Sequence, residues 1–169
     1  TLGTRMKATG EVMAIGTTFE MALLKAVHSL ELGVDSLEVP RMASISREEL
    51  SKKLEEKTYE RLFVIAEAIR KGIPVDEIHE KTQIDMYFLR KFHSIVELEE
   101  KLKKLSFDGL DRETLRLCKL KGFSDQAIAR FVKAKASDVR KKRKELGILP
   151  SFKVVDTCAA EFEAVSPYY

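Results

Sequence analysis

From Ser46 to Gly147 the chain reads as helix after helix, most of them opened by a capping side chain or closed by a glycine. Such dense punctuation leaves no room for a sheet of any size and makes the fold class mainly α. Ser46-x-x-Glu49 is a capping box, in which a hydroxyl and a carboxylate satisfy amides that a helix start leaves without partners. A helix over about Tyr59–Lys71 carries Leu62, Phe63, Val64, Ile65, Ala66, Ala68 and Ile69 on nearly every side, so it belongs at the centre of a bundle. Gly72 stops it, and Pro74 suits the first turn of the next helix. Asp85 caps the longest helix, which runs to about Lys104. Phe88, Leu89, Phe92, Ile95, Val96 and Leu102 are its expected buried stripe. Glu97, Glu99, Glu100, Lys101, Lys103 and Lys104 are read as its solvated face. Asp111 and Gly122 bracket a shorter helix, and Ser124 opens another. Ser137 or Asp138 opens the last, which ends at Gly147 with Pro150 beyond. Short connections between such helices imply antiparallel packing units.

One echo runs through this region. Lys71-Gly72-Ile73 followed by Ile78 returns 50 residues later as Lys121-Gly122-Phe123 followed by Ile128. It reads as a repeated helix–turn–helix unit, and no function is placed on it. Before Ser46, Thr17-x-x-Glu20 is another capping box. Its helix runs to about Leu32 with Phe19, Ala22, Leu23, Ala26, Val27 and Leu30 at the helical period, and Gly33 stops it. Val34–Ile45, with Pro40, is read as a loop and a domain boundary.

A chain of 169 residues buries roughly two thirds of its surface on folding, which suits one compact domain with short extensions. Apolar residues at 44% and charged residues at 34% fit a soluble helical surface, and a net charge of +3 does not force a nucleic-acid reading. Cys118 and Cys158 are too few and too far apart for a disulfide framework or a metal knuckle, which favours a reduced, intracellular setting. No apolar run approaches the roughly 20 residues of a membrane span.

The most tempting motif is Ser124–Leu146: a short helix with Asp125, Ala127, Ile128 and Phe131, a turn at Lys135-Ala136-Ser137, then Arg140-Lys141-Lys142-Arg143-Lys144. It has the outline of a DNA-binding helix-turn-helix. Five consecutive basic residues wrap around a helix, however, and do not form one groove-facing stripe. The Asn or Gln that would read bases is absent, leaving only Ser137 and Arg140. A solvated or protein-facing basic helix is the preferred reading, and nucleic acid is disfavoured as a partner. His28, His79 and His93 fall in three helices without the spacing that puts two imidazoles on one face, and His93 with Glu97 reads as a surface contact. Cys118, among Leu115, Leu117 and Leu120, reads as a buried structural thiol, and Cys158 as packing. Gly3 and Gly10 bound a loop lacking Gly-Lys-Ser/Thr. Gly16-Thr17-Thr18 lies at a helix start, but capping accounts for it. Lys7 and Glu11 receive no role. No catalytic, cofactor-binding or metal-binding residue is expected.

The two ends are β-prone: Met6–Gly16, punctuated by glycines, and Phe152, Val154 and Val155 leading into Asp-Thr-Cys-Ala-Ala and Glu161. Neither end has strands around it to complete a sheet. These blocks resemble the middle of the carbamoyl-phosphate synthetase large subunit, and the resemblance covers essentially the whole chain. Thr17 departs from it, since the family pattern has an arginine there, and an acidic residue near Met21. The resemblance implies three pieces: residues 1–33 as the end of the first ATP-grasp unit, 34–150 as a helical oligomerisation domain, and 151–169 as the start of the second synthetase half. It implies a non-catalytic scaffold inside an enzyme that makes carbamoyl phosphate from bicarbonate, glutamine-derived ammonia and ATP for arginine and pyrimidine synthesis. ATP, magnesium and potassium would be cofactors of the whole enzyme and absent from this piece. Expected partners are the other domains of the same large chain, a glutaminase small subunit and further copies, with no membrane. The expected location is the cytoplasm, or an organelle. The rivals are a helix-turn-helix nucleic-acid binder and a free-standing helical dimerisation module.

Overall fold

The computed structural model describes residues 12–30 and 32–151, and among these it contains eight α-helices, one 3-10 turn and no strand. Helix α1 spans Phe19–Ser29, and Pro40–Met42 forms the 3-10 turn. Then come α2 (Arg47–Lys53), α3 (Arg61–Arg70), α4 (Val75–Thr82) and α5 (Met86–Lys103). Three shorter helices follow: α6 (Arg112–Leu120), α7 (Asp125–Phe131) and α8 (Ala136–Glu145). The mainly α expectation holds. The β-prone blocks at residues 6–11 and 152–163 lie outside the described residues. The remainder of the first block, 12–16, is not strand.

Side-chain caps set most helix starts. The Ser46 hydroxyl accepts from the Glu49 amide at 3.2 Å, and the Asp85 and Asp111 carboxylates accept from Tyr87 and Thr114 amides at 2.7 Å each. Ser124 does the same for Ala127 at 2.9 Å. Each cap satisfies one of the four amides a helix start exposes and stabilises it by about 1 kcal/mol. Two expected starts are corrected. The cap of α1 is Thr18, not Thr17, since the Thr18 Oγ1 accepts from the Met21 amide at 3.2 Å. Helix α8 opens after Lys135, ahead of Ser137 and Asp138, and has no side-chain cap. Helix α1 also stops earlier than Leu32, at Ser29 with Leu30 as its cap.

The 50-residue echo is structural. Gly72 and Gly122 both adopt left-handed backbone, at φ +75° and +90°. In each case the next residue closes the turn: Ile73 N–H donates to the Ala68 carbonyl and Phe123 N–H to the Cys118 carbonyl, both at 3.0 Å. That is a Schellman ending, which consumes carbonyls a helix end would otherwise leave bare. The second turn of each unit repeats as well, with Gln83 at φ 57° and Lys133 at φ 55°. Paired positions fill the core alike: Ile65 with Leu115, Ala68 with Cys118, Ile78 with Ile128, and Leu89 with Val139 are all buried. Helices α3–α4–α5 and α6–α7–α8 are therefore two versions of one three-helix unit.

Helix α5 is the axis of the molecule and packs against α1, α3, α4 and α7. The central burial expected of α3 is present, with Phe63 through Ile69 all buried and Leu62 only partly so. Phe88, expected in the buried stripe of α5, is instead substantially exposed. The loop 34–45 is not a loose connection. Leu37, Val39 and Met42 lie in the same core as α3 and α5.

Candidate interaction surface

Burial makes polar contacts between helices decisive, because an unpaired charge in a core is destabilising by several kcal/mol. Glu99 is the clearest case. Expected on the solvated face of α5, it is instead fully buried. Its Oε1 accepts from the Leu37 amide at 3.1 Å, and its Oε2 accepts from the Arg70 guanidinium. Arg70 in turn donates to Glu67 at 2.9 Å. Burial pushes the Glu99 carboxyl up, while Arg70 and the Leu37 amide pull the other way. On Arg70, burial works against the charge but Glu99 and Glu67 outweigh it and hold the guanidinium protonated. This clasp joins α3, α5 and the 34–39 segment. The sequence does carry a signal for it: Glu99 falls one turn after Ile95 and Val96 and one turn before Leu102, on the apolar stripe itself.

A second clasp joins α1, α5 and α6. The buried Glu20 carboxylate, 4% exposed, accepts from Lys121 at 3.0 Å and from the Ser94 hydroxyl at 3.1 Å, with Lys91 at 3.5 Å. Desolvation opposes ionisation, but backbone and Lys121 contacts prevail and the pKa lies below the usual range. The clasp floors an open groove of about 620 Å³, also lined by Asp85, Met86, Tyr87 and Arg90. A third clasp ties α7 to the 34–39 segment. Arg130 donates to Asp35 at 2.8 and 3.0 Å, to Glu38 at 2.7 Å and to Ser36 at 2.8 Å.

The basic run of α8 is divided by the same logic. Arg143 turns inward, donating to Asp125 at 3.1 to 3.3 Å and to the Ile148 carbonyl at 2.7 Å. Lys142 reaches the Phe107 and Asp108 carbonyls at 2.8 and 3.1 Å. Only Arg140, Lys141 and Lys144 of the run are left exposed, and Ser137 bonds its neighbour Asp138. The pair α7–α8 has a helix-turn-helix outline whose basic residues are partly internal fasteners, so the DNA-binding reading gains no support. Burial tends to raise the Asp125 carboxyl, but Arg143 and Lys119 overcome it and keep it below the usual range.

The remaining candidate residues do not converge. His79 bonds the Ile84 carbonyl at 2.7 Å, His93 meets Glu97 at 3.4 Å on the surface, and His28 sits apart on α1. Among the described residues no cluster of three His, Cys, Asp or Glu forms a metal cage, and no helix is long and apolar enough to cross a membrane. Burial pushes the Cys118 thiol up to about 12, so it is inert as a nucleophile. Gly16 packs against the first turn of α1, where an added Cβ would stand 2.7 Å from the Ala22 nitrogen, and the Thr17 hydroxyl faces the Met21 sulfur at 3.9 Å. Gly3, Lys7, Gly10, Glu11 and Cys158 lie outside the described residues.

What the body offers to partners is therefore surface. Leu117 and Leu120 on α6, Tyr87 and Phe88 on α5, and Tyr59 ahead of α3 are exposed apolar side chains on the helical body, and Val12, Met13, Ile15, Leu32 and Leu149 are exposed outside its helices. Comparison with known proteins gives this surface a context. The family model for the carbamoyl-phosphate synthetase large chain, oligomerisation domain, matches residues 11–147. The carbamoyl phosphate synthase large chains of Clostridium perfringens strains SM101 and 13 are each 47% identical over 168 residues. The match covers 99% of this chain and 16% of each relative, so the chain spans about a sixth of their length.

Proposed function

Because the chain belongs to the oligomerisation-domain family of the carbamoyl-phosphate synthetase large chain, we propose that it is a scaffold which holds larger catalytic units in a fixed relation. The observation that carries this reading is the family match over residues 11–147, laid on a body whose buried carboxylates Glu99 and Glu20 are spent joining helices to one another. A carboxylate locked between a guanidinium and an amide is poorly placed to move protons for a reaction, and well placed to stop helices sliding.

On this reading the flanking pieces, residues 1–33 and 151–169, belong to the first ATP-grasp unit and to the second synthetase half. The whole enzyme makes carbamoyl phosphate from bicarbonate, ammonia supplied by a glutaminase partner, and ATP, with magnesium and potassium. It serves arginine and pyrimidine synthesis, in the cytoplasm or an organelle. The scaffold contributes geometry. Reactive intermediates such as carboxyphosphate are lost to water if released, so two active centres that pass them on need a constant separation.

The chain alone, given ATP, bicarbonate and ammonia, is expected to yield no carbamoyl phosphate, and turnover would overturn the scaffold reading. Sedimentation of the full-length large chain before and after replacing Glu99 with alanine tests the structural half. The variant is expected to lose assembly or ATP-dependent synthesis, and an unaffected enzyme would show that the clasps do not set the geometry.

A further inference from the structure

The internal repeat exposes a face that one unit closes and the other leaves open. In α3, positions 63, 66, 67 and 70 share one side. Phe63, Ala66 and Glu67 are buried there, and the Arg70 side chain is only 8% exposed. The second half of α5 closes the Arg70 end of that side, with Glu99 seated on Arg70. Fifty residues on, Glu113, Arg116, Leu117 and Leu120 occupy the matching side of α6, and all four are exposed, Leu117 at 40% and Leu120 at 49%. Two differences go with this: α2 and the 3-10 turn also pack against α3 and are not repeated ahead of α6, and the third helices differ in length. Helix α5 has 18 residues and α8 has 10, so α8 stops before it could return over α6 as α5 returns over α3.

We propose that this side of α6 is a docking surface for another part of the same large chain, seated as the second half of α5 sits on α3. The fitting element is an amphipathic helix with apolar residues over Leu117 and Leu120 and carboxylates toward Arg112 and Arg116. Arg116 has no carboxylate within ion-pair distance among the described residues, so its charge is available to such a partner. The unit also carries a basic surplus, twelve basic and five acidic side chains in residues 111–145 against six and five in residues 61–95, of which Lys121 and Arg130 are met by Glu20, Asp35 and Glu38 from outside the unit. An intramolecular occupant is favoured because the relatives carry most of their length outside the matched segment. Polypeptide also enters at this place. The Thr18 hydroxyl, at the start of α1, donates to the Leu120 carbonyl at 3.5 Å. The proposal rests on the scaffold reading and specifies one of its contacts.

Thiol labelling of the L120C variant tests it, read by peptide mass mapping in the 169-residue chain and in the full-length large chain. Cys118, two residues away, is buried and does not compete. Labelling at position 120 is expected to be about tenfold slower in the full-length chain. Equal rates overturn the proposal, and so does labelling of the 169-residue chain that slows as its concentration rises, which would put a second copy on this face. Should the cysteine variant misfold, hydrogen exchange of α6 in the R116E full-length chain gives the answer instead. Exchange is expected to quicken there and to stay unchanged in the 169-residue chain carrying the same substitution; no change in either overturns the assignment. Equal labelling in a full-length enzyme that still assembles would refute this contact alone and leave the scaffold reading standing.

Discussion

The unit α3–α5 and the unit α6–α8 follow one backbone plan to different ends. Both turn through a left-handed glycine, both bury an isoleucine at the same place, and both open a third helix 50 residues apart. The first unit encloses an arginine and two glutamates between its own helices and is nearly neutral. The second turns leucines and uncompensated cations outward. A duplicated framework thus separates two jobs: one copy supplies internal cohesion, and the other supplies a surface. The length of the third helix and the side chains at equivalent positions together decide which.

The largest expected effect falls on the cohesive unit. Glu99→Ala leaves the buried Arg70 guanidinium with Glu67 and the more distant, partly exposed Glu100 at 3.8 Å, and urea unfolding should register a loss of about 3–5 kcal/mol. A loss below about 1 kcal/mol would mean that Arg70 finds water and that the first unit is not sealed. The shared core should respond evenly. Ile78→Ala and Ile128→Ala, both fully buried, are each expected to lose about 2–5 kcal/mol by the same measurement. A large disparity between the two would break the equivalence of the units.

A smaller difference is expected at the two glycines. Left-handed backbone disfavours any Cβ by about 1–2 kcal/mol, so Gly72→Ala should lose that much. At Gly122 the added Cβ would also stand 2.8 Å from the Met21 Cα, whereas nothing lies within 4 Å at Gly72. Gly122→Ala should therefore be the worse substitution by thermal unfolding, and equal losses would contradict the close approach of α1. The smallest effect separates the units by acid. The Asp125 carboxyl has a folded pKa below its ordinary 3.8, so its contribution is complete above that value and fades as the pH falls through the folded one. Val75, its counterpart, has nothing to titrate. Asp125→Asn should flatten the fall in melting temperature as the pH drops below about 5. A pH profile identical to that of the parent chain would remove Asp125 from the clasp with Arg143.

Much of this molecule is legible in its sequence, because its helix boundaries are written in local chemistry. Ser46, Asp85, Asp111 and Ser124 cap where their spacing predicts, and Gly72, Gly122 and Gly147 stand in the left-handed turns that stop helices. The departures share a cause. Thr17 and Thr18 are chemically alike neighbours, and only the register of α1 against α6 distinguishes them. The start of α8 has no capping side chain to announce it, although the echo does: Asp85 plus 50 is Lys135, the residue from which α8 begins. Glu99 escapes local reading because a charged residue in a Glu-Lys-rich stretch looks solvated. Its partners, Arg70 and the Leu37 amide, come from 29 and 62 positions away. Among the candidate sites, the scattered spacing of the histidines and the apolar neighbours of Cys118 already speak against chemistry there. The open side of α6 emerges only when the two units are laid side by side.

At Gly122 the main chain of Met21 stands where a β-carbon would otherwise go. Two backbones in contact have no rotamers between them to absorb a shift, as layered side chains do. Any tug on the first helix is therefore handed directly to the turn joining α6 and α7, and that joint behaves as a weld instead of a hinge.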